Sequence, residues 1–574
     1  MVARYVVSSR GGRRSHPDIA SALRAAAARR RPAQIEIAPG HYDETLFVRG
    51  EVRLFARDGA GSVVVSRPRG PVLETSGAVR VEGLVLTGGD AESDAVACQG
   101  GTLVLERTEI RARGGVAVHA RPHTVVTLRD STVLHGRTLF TSSSGLVERC
   151  RFTDSADNAI AVIEGARVGV HGSRIEGSRI HGVRVCDAYA VITGCELTGT
   201  GNAAVMADTR AELTVSDCTI TAVHAEGIMF IEQSRGSVDR TRVTEARHGI
   251  GAASGADPVV RDCVLSACRD TGINVQTSAR GRFEDCQVLG ARNVAVFSTK
   301  GGAPEVHGGR VCGGNVGIAV TEGARGRFTG IAIEDLTGSA LRVFDDDSTA
   351  LFERVRVARC PSGLEVRGNG GTTAEAVDTE FHDFALAAVA VGGQARVSLR
   401  NVRAERGLLG FGVGEEASLR VADSRVGAVT SGGAVVLNSA RLFATDLTVA
   451  GSEALGLYGK DSAYLDVTRG VFEQCALVGA AFDDGCGGRL ADCSVSGQGG
   501  TAVRHNGRVD LISLDTTLPV VRVEEQPVEL PPKIVNIFNG PVFHDRVVNS
   551  QILWNNDNVH ITPRHTTEDG PAHE

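Results

Sequence analysis

The sequence predicts an all-β chain, a right-handed, single-stranded parallel β-helix of about nineteen coils of roughly 22–24 residues with an N-terminal capping helix. Three observations predict it. A degenerate phrase returns as "VERCRF", "ITGCEL", "VSDCTI", "VRDCVL", "FEDCQV" and "LADCSV", placing Cys150, Cys195, Cys218, Cys263, Cys286 and Cys493 at one marker position, with gaps of 23 residues from 195 to 218 and from 263 to 286. A second phrase runs in step half a period later, as in "NAIAVIEG", "HGVRVCDA", "EGIMFIEQ" and "TGINVQTS", apolar on alternate residues as a pleated strand with a buried face requires. Aromatic residues make up only 4% of the chain while glycine reaches 71 of 574 residues, a balance suited to a narrow interior of stacked turns.

The coil follows from these phrases. A third short strand, as in "ARVSL", "RGRFE" and "AELTV", completes each repeat, so that three strands separated by Gly, Asn and Asp turns form one turn of a solenoid. Filling the marker column from Leu84 to Cys493 gives nineteen rungs, which at about 4.8 Å each span roughly 90 Å. The marker column alternates Cys, Ser, Thr and Val because identical positions lie on top of one another and must stay small. That explains the cysteines without metal or redox chemistry, since neither CxxC nor a Cys/His pair at zinc spacing occurs.

Composition narrows the function classes. A net charge of -7 and a pI near 6.2 offer no footprint for duplex nucleic acid. No run of eighteen apolar residues marks a membrane span, and the opening "MVARYVVSSRGGRRSHPD" lacks the apolar core of a signal peptide, so a cytoplasmic protein with reduced thiols is expected.

The ends break the period. Residues 1–55 read as an N-terminal cap, in which "SHPDIASALRAAAARR" starts a helix near Ser15 and Pro17 and sets Ile19, Ala22, Leu23 and Ala26 on one face. Residues 56–522 carry the β-helix, and residues 523–574 hold a proline linker, "RVEEQPVELPPK", followed by an Asn-rich tail. The N-terminal stretch resembles the opening of pectin-lyase-like β-helix proteins with PbH1-type repeats, where a capping helix precedes a "PGxYxE" turn, here Pro39, Gly40, Tyr42 and Glu44. That resemblance covers residues 1 to about 522 and implies a fold whose members include lyases, hydrolases, esterases, epimerases and inert scaffolds. The tail "VVNSQILWNNDNV" resembles amyloid-signalling motifs at the termini of bacterial immune-type receptors and effectors. It implies a protein partner bound through Val547, Val548, Asn549, Gln551, Ile552, Trp554 and Asn555. The other reading of the tail is a cap in which Trp554 and Phe538 cover the last rung.

Acidic clusters are the candidate chemistry. Asp345, Asp346 and Asp347 in "VFDDDS" and Asp483 with Asp484 in "AFDDGC" lie six coils apart and cannot share a scissile bond. Asp187, Asp208 and Arg210 could supply a lyase-type calcium site with a facing arginine, the only setting in which a cofactor, Ca2+, is expected. Polygalacturonase-like enzymes carry "NTD", "DD", "HG" and "RIK" elements; here "HG" occurs at His181 and His248, whereas "NTD" and "RIK" are missing. The acids after the second strand (Glu164, Asp187, Asp208, Glu232, Glu322, Asp345, Glu415, Asp483) and the arginines that follow (Arg167, Arg210, Arg235, Arg280, Arg325) read as an exposed ladder of paired charges, or as a linear surface for a charged polymer. The sequence therefore favours a non-catalytic recognition or scaffold arm with a partner-binding tail. The alternative is a carbohydrate-active enzyme, a polysaccharide lyase or glycoside hydrolase, that holds an extended polysaccharide along the β-helix face.

Overall fold

The computed structural model describes residues 2–8, 15–90, 92–113, 115–483, 485–497 and 500–523. The tail residues named above, and Asp484, lie outside them. The described chain is a parallel β-solenoid of about 21 turns with one short helix. Its coil is well represented by residues 242–261. A three-residue strand, Arg242–Thr244, belongs to the first sheet; His248–Ala252 belongs to the second, and Asp257–Arg261 to the third. Each strand pairs in parallel with its counterpart one coil on, as in Arg242↔Val264, His248↔Thr271 and Val259↔Arg282. The excess over nineteen coils arises at the ends. Ala3–Val7 and Ala33–Ile37 already stack as rungs, and Val509–Ile512 and Val520–Arg522 extend the pile past Cys493.

The marker column is where the chain bends from the third sheet into the first. The residue before each marker is left-handed, as at Asp217 (φ 55°), Arg240 (46°), Asp262 (53°) and Asp285 (51°), a conformation that Asp tolerates better than most side chains. The bend takes the marker N–H out of the ladder, and the marker side chain of the next coil accepts it. Cys150 donates to Ser173 Oγ at 3.0 Å, Cys195 to Cys218 Sγ at 3.4 Å and Cys218 to Thr241 Oγ1 at 3.4 Å. At the Cys, Ser and Thr rungs the marker is therefore an acceptor as well as small, while Val355 and Val402 fill the same column without one. Burial pushes the Cys150 thiol up to about 11, which makes it unreactive, and all thirteen cysteines are free.

The helix Ile19–Arg29 buries Ile19, Ala22, Leu23 and Ala26, the face read from its spacing. Its N-cap is Asp18, whose carboxylate accepts from Ser21 N–H at 2.6 Å, rather than a residue nearer Ser15. The glutamate of the "PGxYxE" turn completes the cap: the Glu44 carboxylate accepts from Ile19 N–H at 2.9 Å and Ala20 N–H at 2.7 Å.

Inward residues of all three sheets form one continuous apolar core. The second sheet differs from the others because its outward residues are buried as well. Met206 and Met229 form one apolar patch with Ile231, and Val294 and Phe297 form another with Val316. A parallel sheet buried on both faces reads as a continuous apolar run, as in "VGAAF".

Candidate ligand groove on the third sheet

The sites read from the sequence do not converge. Asp345, Asp346 and Asp347 are all exposed in a turn, where Asp345 is left-handed (φ 66°) and Asp346 accepts from Asn369 N–H at 3.2 Å. Asp345 and Asp483 stand on turns six rungs apart, about 29 Å at the coil spacing. Asp483 is buried against Tyr458, whose hydroxyl lies 3.3 Å from its carboxylate. His248 lies four rungs before Asp345, so the two are roughly 20 Å apart. His181 is buried, with Nδ1 3.2 Å from the Ala203 carbonyl.

Asp187 and Asp208 follow each other by one coil but face different partners. Asp208 is buried and accepts from Arg184 Nε at 2.9 Å, whereas exposed Asp187 meets Arg210 at 3.5 Å. Each acid answers its own arginine, so the pair does not gather oxygens around a cation. Among the described residues the one cluster with metal-ligand spacing is Cys312, Glu334 and Asp335, and there both acids are bound by Arg359.

The ladder of paired charges exists, but elsewhere. Of the five arginines expected to pair beside the second-to-third turn, Arg210 does so; Arg167, Arg235, Arg280 and Arg325 have no ion pair among the described residues. Pairs lie along the strands of the first and third sheets, as in Arg151–Glu176 and Arg261–Glu284, and at the left-handed bends flanking the first sheet, where an arginine grips the aspartate one coil earlier with two bonds. Arg240 holds Asp217 at 2.8 and 2.8 Å, Arg406 holds Asp383 at 2.7 and 3.1 Å, and Arg469 holds Asp446 at 2.7 and 2.5 Å. These guanidinium groups hold the three carboxyls below the ordinary range.

The outer face of the third sheet carries an open groove of about 1300 Å³ running along the coils from Ala303 to Phe443. Five arginines line it: Arg325, Arg327, Arg396, Arg420 and Arg441. Arg327 pairs with Glu353 at 3.3 Å, and the groove's Glu416 accepts from Gln394 at 3.0 Å. Arg325, Arg396, Arg420 and Arg441 have no carboxylate partner among the described residues. At the C-terminal end the Phe443 ring stands 6.2 Å from Tyr464, which is 42% exposed. An unpaired guanidinium is a ready donor to carboxylate or sulfate, and an exposed ring supplies a flat apolar face.

The second sheet sets His248, read in the sequence only as part of an "HG" element, beside a glutamate that the sequence did not single out. Glu226 and His248 stack on adjacent rungs, both buried, with Asn274 one rung further on. Glu226 Oε2, both His248 ring nitrogens and Asn274 Oδ1 have no hydrogen-bond partner among the described residues. Desolvation pushes the Glu226 carboxyl up to about 7 and the His248 imidazole down to about 4.

Fold and groove together define a parallel β-helix that presents a long, open outer face. The chain belongs to the family described as "right handed beta helix region", whose model matches residues 159–311 and 362–514. Similar solved structures include a pectin methylesterase from Aspergillus niger, with 12% identity, a TM-score of 0.31 and coverage of 38% of this chain and 85% of that one. The PL6 family alginate lyase AlyGC has 9% identity and a TM-score of 0.26 over 90% of this chain and 100% of that one. For the pectate lyase Pel9A the values are 10% and 0.22, over 55% and 75%. At these identities the likeness is one of fold alone. No curated protein matches the chain. Among the described residues no helix is long and apolar enough to cross a membrane.

Proposed function

We propose that this protein is a non-catalytic recognition β-helix whose third-sheet groove holds an extended anionic chain of the acidic-polysaccharide class. The observation that carries the reading is the set of unpaired arginines in one groove, Arg325, Arg396, Arg420 and Arg441, ending beside the Phe443–Tyr464 rings. Arginines such as Arg240, Arg406 and Arg469 grip acids across coils, whereas a guanidinium group left without a partner is available to a ligand. Binding is favoured over cleavage because the acids that cleavage needs stand rungs apart. The Asn-rich tail supplies, in this proposal, the attachment to a protein partner, a role supported by its composition.

The test is titration with polygalacturonate and β-(1→4)-polyglucuronate at low and high salt, with calcium present, while unsaturated products and reducing ends are followed. Salt-weakened binding without product is expected. The Arg396→Ala/Arg420→Ala double variant should bind roughly 100-fold more weakly, at about 1.5 kcal/mol for each charged contact. Absence of binding to either polymer at low salt overturns the reading, and product formed in proportion to protein replaces it with the enzyme alternative.

A further inference from the structure

Strand pairing fixes where the groove's side chains stand. Arg396, Ser418 and Arg441 follow one another in register along one outward column, and Ser398, Arg420 and Phe443 along the column two residues on. Taken coil by coil the groove therefore presents Arg and Ser, then Ser and Arg, then Arg and Phe. Each cation is displaced from the last by about 4.8 Å along the solenoid axis and about 6.6 Å across it, alternately to one side and the other. The position facing Arg396 in its own coil is Ser398, and the one facing Arg420 is Ser418. These small hydroxyl residues leave room between the columns. One coil further, Tyr464 continues the column of Arg441.

A polymer lying along the axis would thus meet one arginine per coil, from alternate sides. An extended 1→4-linked chain with both linkages equatorial advances by about one ring per coil, and successive rings are turned over, so its carboxylates alternate sides in the same way. A chain with axial linkages is buckled and winds, and its carboxylates leave the plane that the two columns define. Single-stranded nucleic acid carries its charge on a backbone that does not alternate across a ribbon.

We infer that the groove selects a ribbon-shaped, diequatorial 1→4-linked polyuronate and grips three consecutive rings of it through Arg396, Arg420 and Arg441. This rests on the reading of the groove as a site for acidic polysaccharide and adds the geometry of the ligand. Arginine suits the role because its planar fork binds a carboxylate through two parallel bonds, which fixes orientation as well as charge.

The experiment compares β-(1→4)-glucuronate oligomers of two to six rings with α-(1→4)-galacturonate oligomers of equal length, by calorimetry on the full chain. Affinity for the glucuronate series should rise by about tenfold per ring up to three rings and then level, and should exceed that for the galacturonate series by about tenfold at three rings. Arg420→Ala should lose about tenfold on the glucuronate trimer and less on the galacturonate trimer, and Arg420→Lys should fall between wild type and alanine. Arg167→Ala, at an outward arginine of the same sheet eleven coils from Arg420, should change neither. Both positions are on the surface, and circular dichroism checks that the variants fold. Equal affinity for the two series, or equal losses on both in Arg420→Ala, overturns the inference and leaves the polysaccharide reading standing. No binding of either series at low salt overturns both. Oligothymidylate binding as tightly as a glucuronate oligomer of equal charge also overturns the inference.

Discussion

Glu226 and His248 permit a quantitative test of how the second sheet is held together, because their titrations oppose each other. Glu226 has its carboxyl raised from 4.5 to about 7, so the folded state holds this proton more tightly than the unfolded chain. Stability from that proton is complete below pH 4.5 and is lost as pH rises to 7. The size is on the order of 3 kcal/mol, from 1.36 kcal/mol for each pH unit. His248 is lowered from 6.5 to about 4, so its contribution is complete above pH 6.5 and is lost as pH falls to 4, by a similar amount. Burial dominates both shifts: Arg247 opposes it only weakly at Glu226 and reinforces it at His248. Arg184 is held by Asp208 at 2.9 Å, and Arg269 donates to the carbonyls of Val223 and His224. Arg247 and Asp270, 3.7 Å apart, are the charged groups nearest His248, whose Nε2 lies 3.9 Å from Asp270. In the wild type the two slopes cancel over pH 4.5 to 6.5, and opening of this face should vary little. Glu226→Gln leaves only the histidine slope, so opening should become roughly 100-fold more frequent as pH falls from 6.5 to 4. His248→Asn leaves only the glutamate slope, and opening should rise by a similar factor from pH 4.5 to 7. A solenoid opens locally, so the assay is amide exchange of Glu226–Phe230 and His248–Ala252, normalised for intrinsic rate. Two variants whose slopes share a sign, or match the wild type, would refute the reasoning.

Two further outcomes follow from the same physics. Arg342 Nε donates to Glu365 at 3.1 Å with both side chains largely removed from water, so Arg342→Met should destabilise its coils by about 3–5 kcal/mol by stranding a buried carboxylate. The Arg342→Met/Glu365→Met double variant should recover most of that in chemical denaturation, and equal losses in single and double variants would show that the pair does not act as a unit. A peptide of residues 533–562 should form β-rich assemblies by circular dichroism and thioflavin binding, and a soluble monomer without β signal at high concentration would remove the assembly role of the tail.

The architecture was legible because a solenoid repeats its constraints. Cys195 and Cys218 stand at a bend where the backbone leaves an N–H for the marker side chain of the next coil, so the phrase around them marks the turn itself. The helix face Ile19, Ala22, Leu23 and Ala26 was readable from spacing, while the helix start was displaced because both Ser15 and Asp18 are good caps and only the fold decides between them. The groove was not legible. Arg396 in "ARVSLR" and Arg420 in "SLRVAD" look like any solvated strand residues, and their alternation appears only once the register places Ser418 over Arg396. Glu226 and His248 were hidden for another reason. A polar residue before glycine in "EGIM" and "HGIG" reads as a turn, whereas the second sheet buries both of its faces. Runs such as "VGAAF" and "HGIGA", apolar at both parities, were the available signal.

Three outer faces built from one repeat have come to differ in how they deal with charge. At the bends beside the first sheet, arginine and aspartate one coil apart neutralise each other, which keeps that edge soluble and leaves nothing over for a ligand. On the second sheet several ionisable groups are buried, and Glu226, raised to about 7, holds its proton up to the edge of neutrality instead of recruiting a partner. On the third sheet the groove keeps several arginines exposed and without an ion pair among the described residues, with serine beside them in the same coil, as Ser398 stands beside Arg396 and Ser418 beside Arg420. Exposed guanidinium groups cost the fold little whether paired or not, so stability does not require this arrangement. Binding does, because a guanidinium already held by an internal carboxylate must give up that bond before it can take a ligand's.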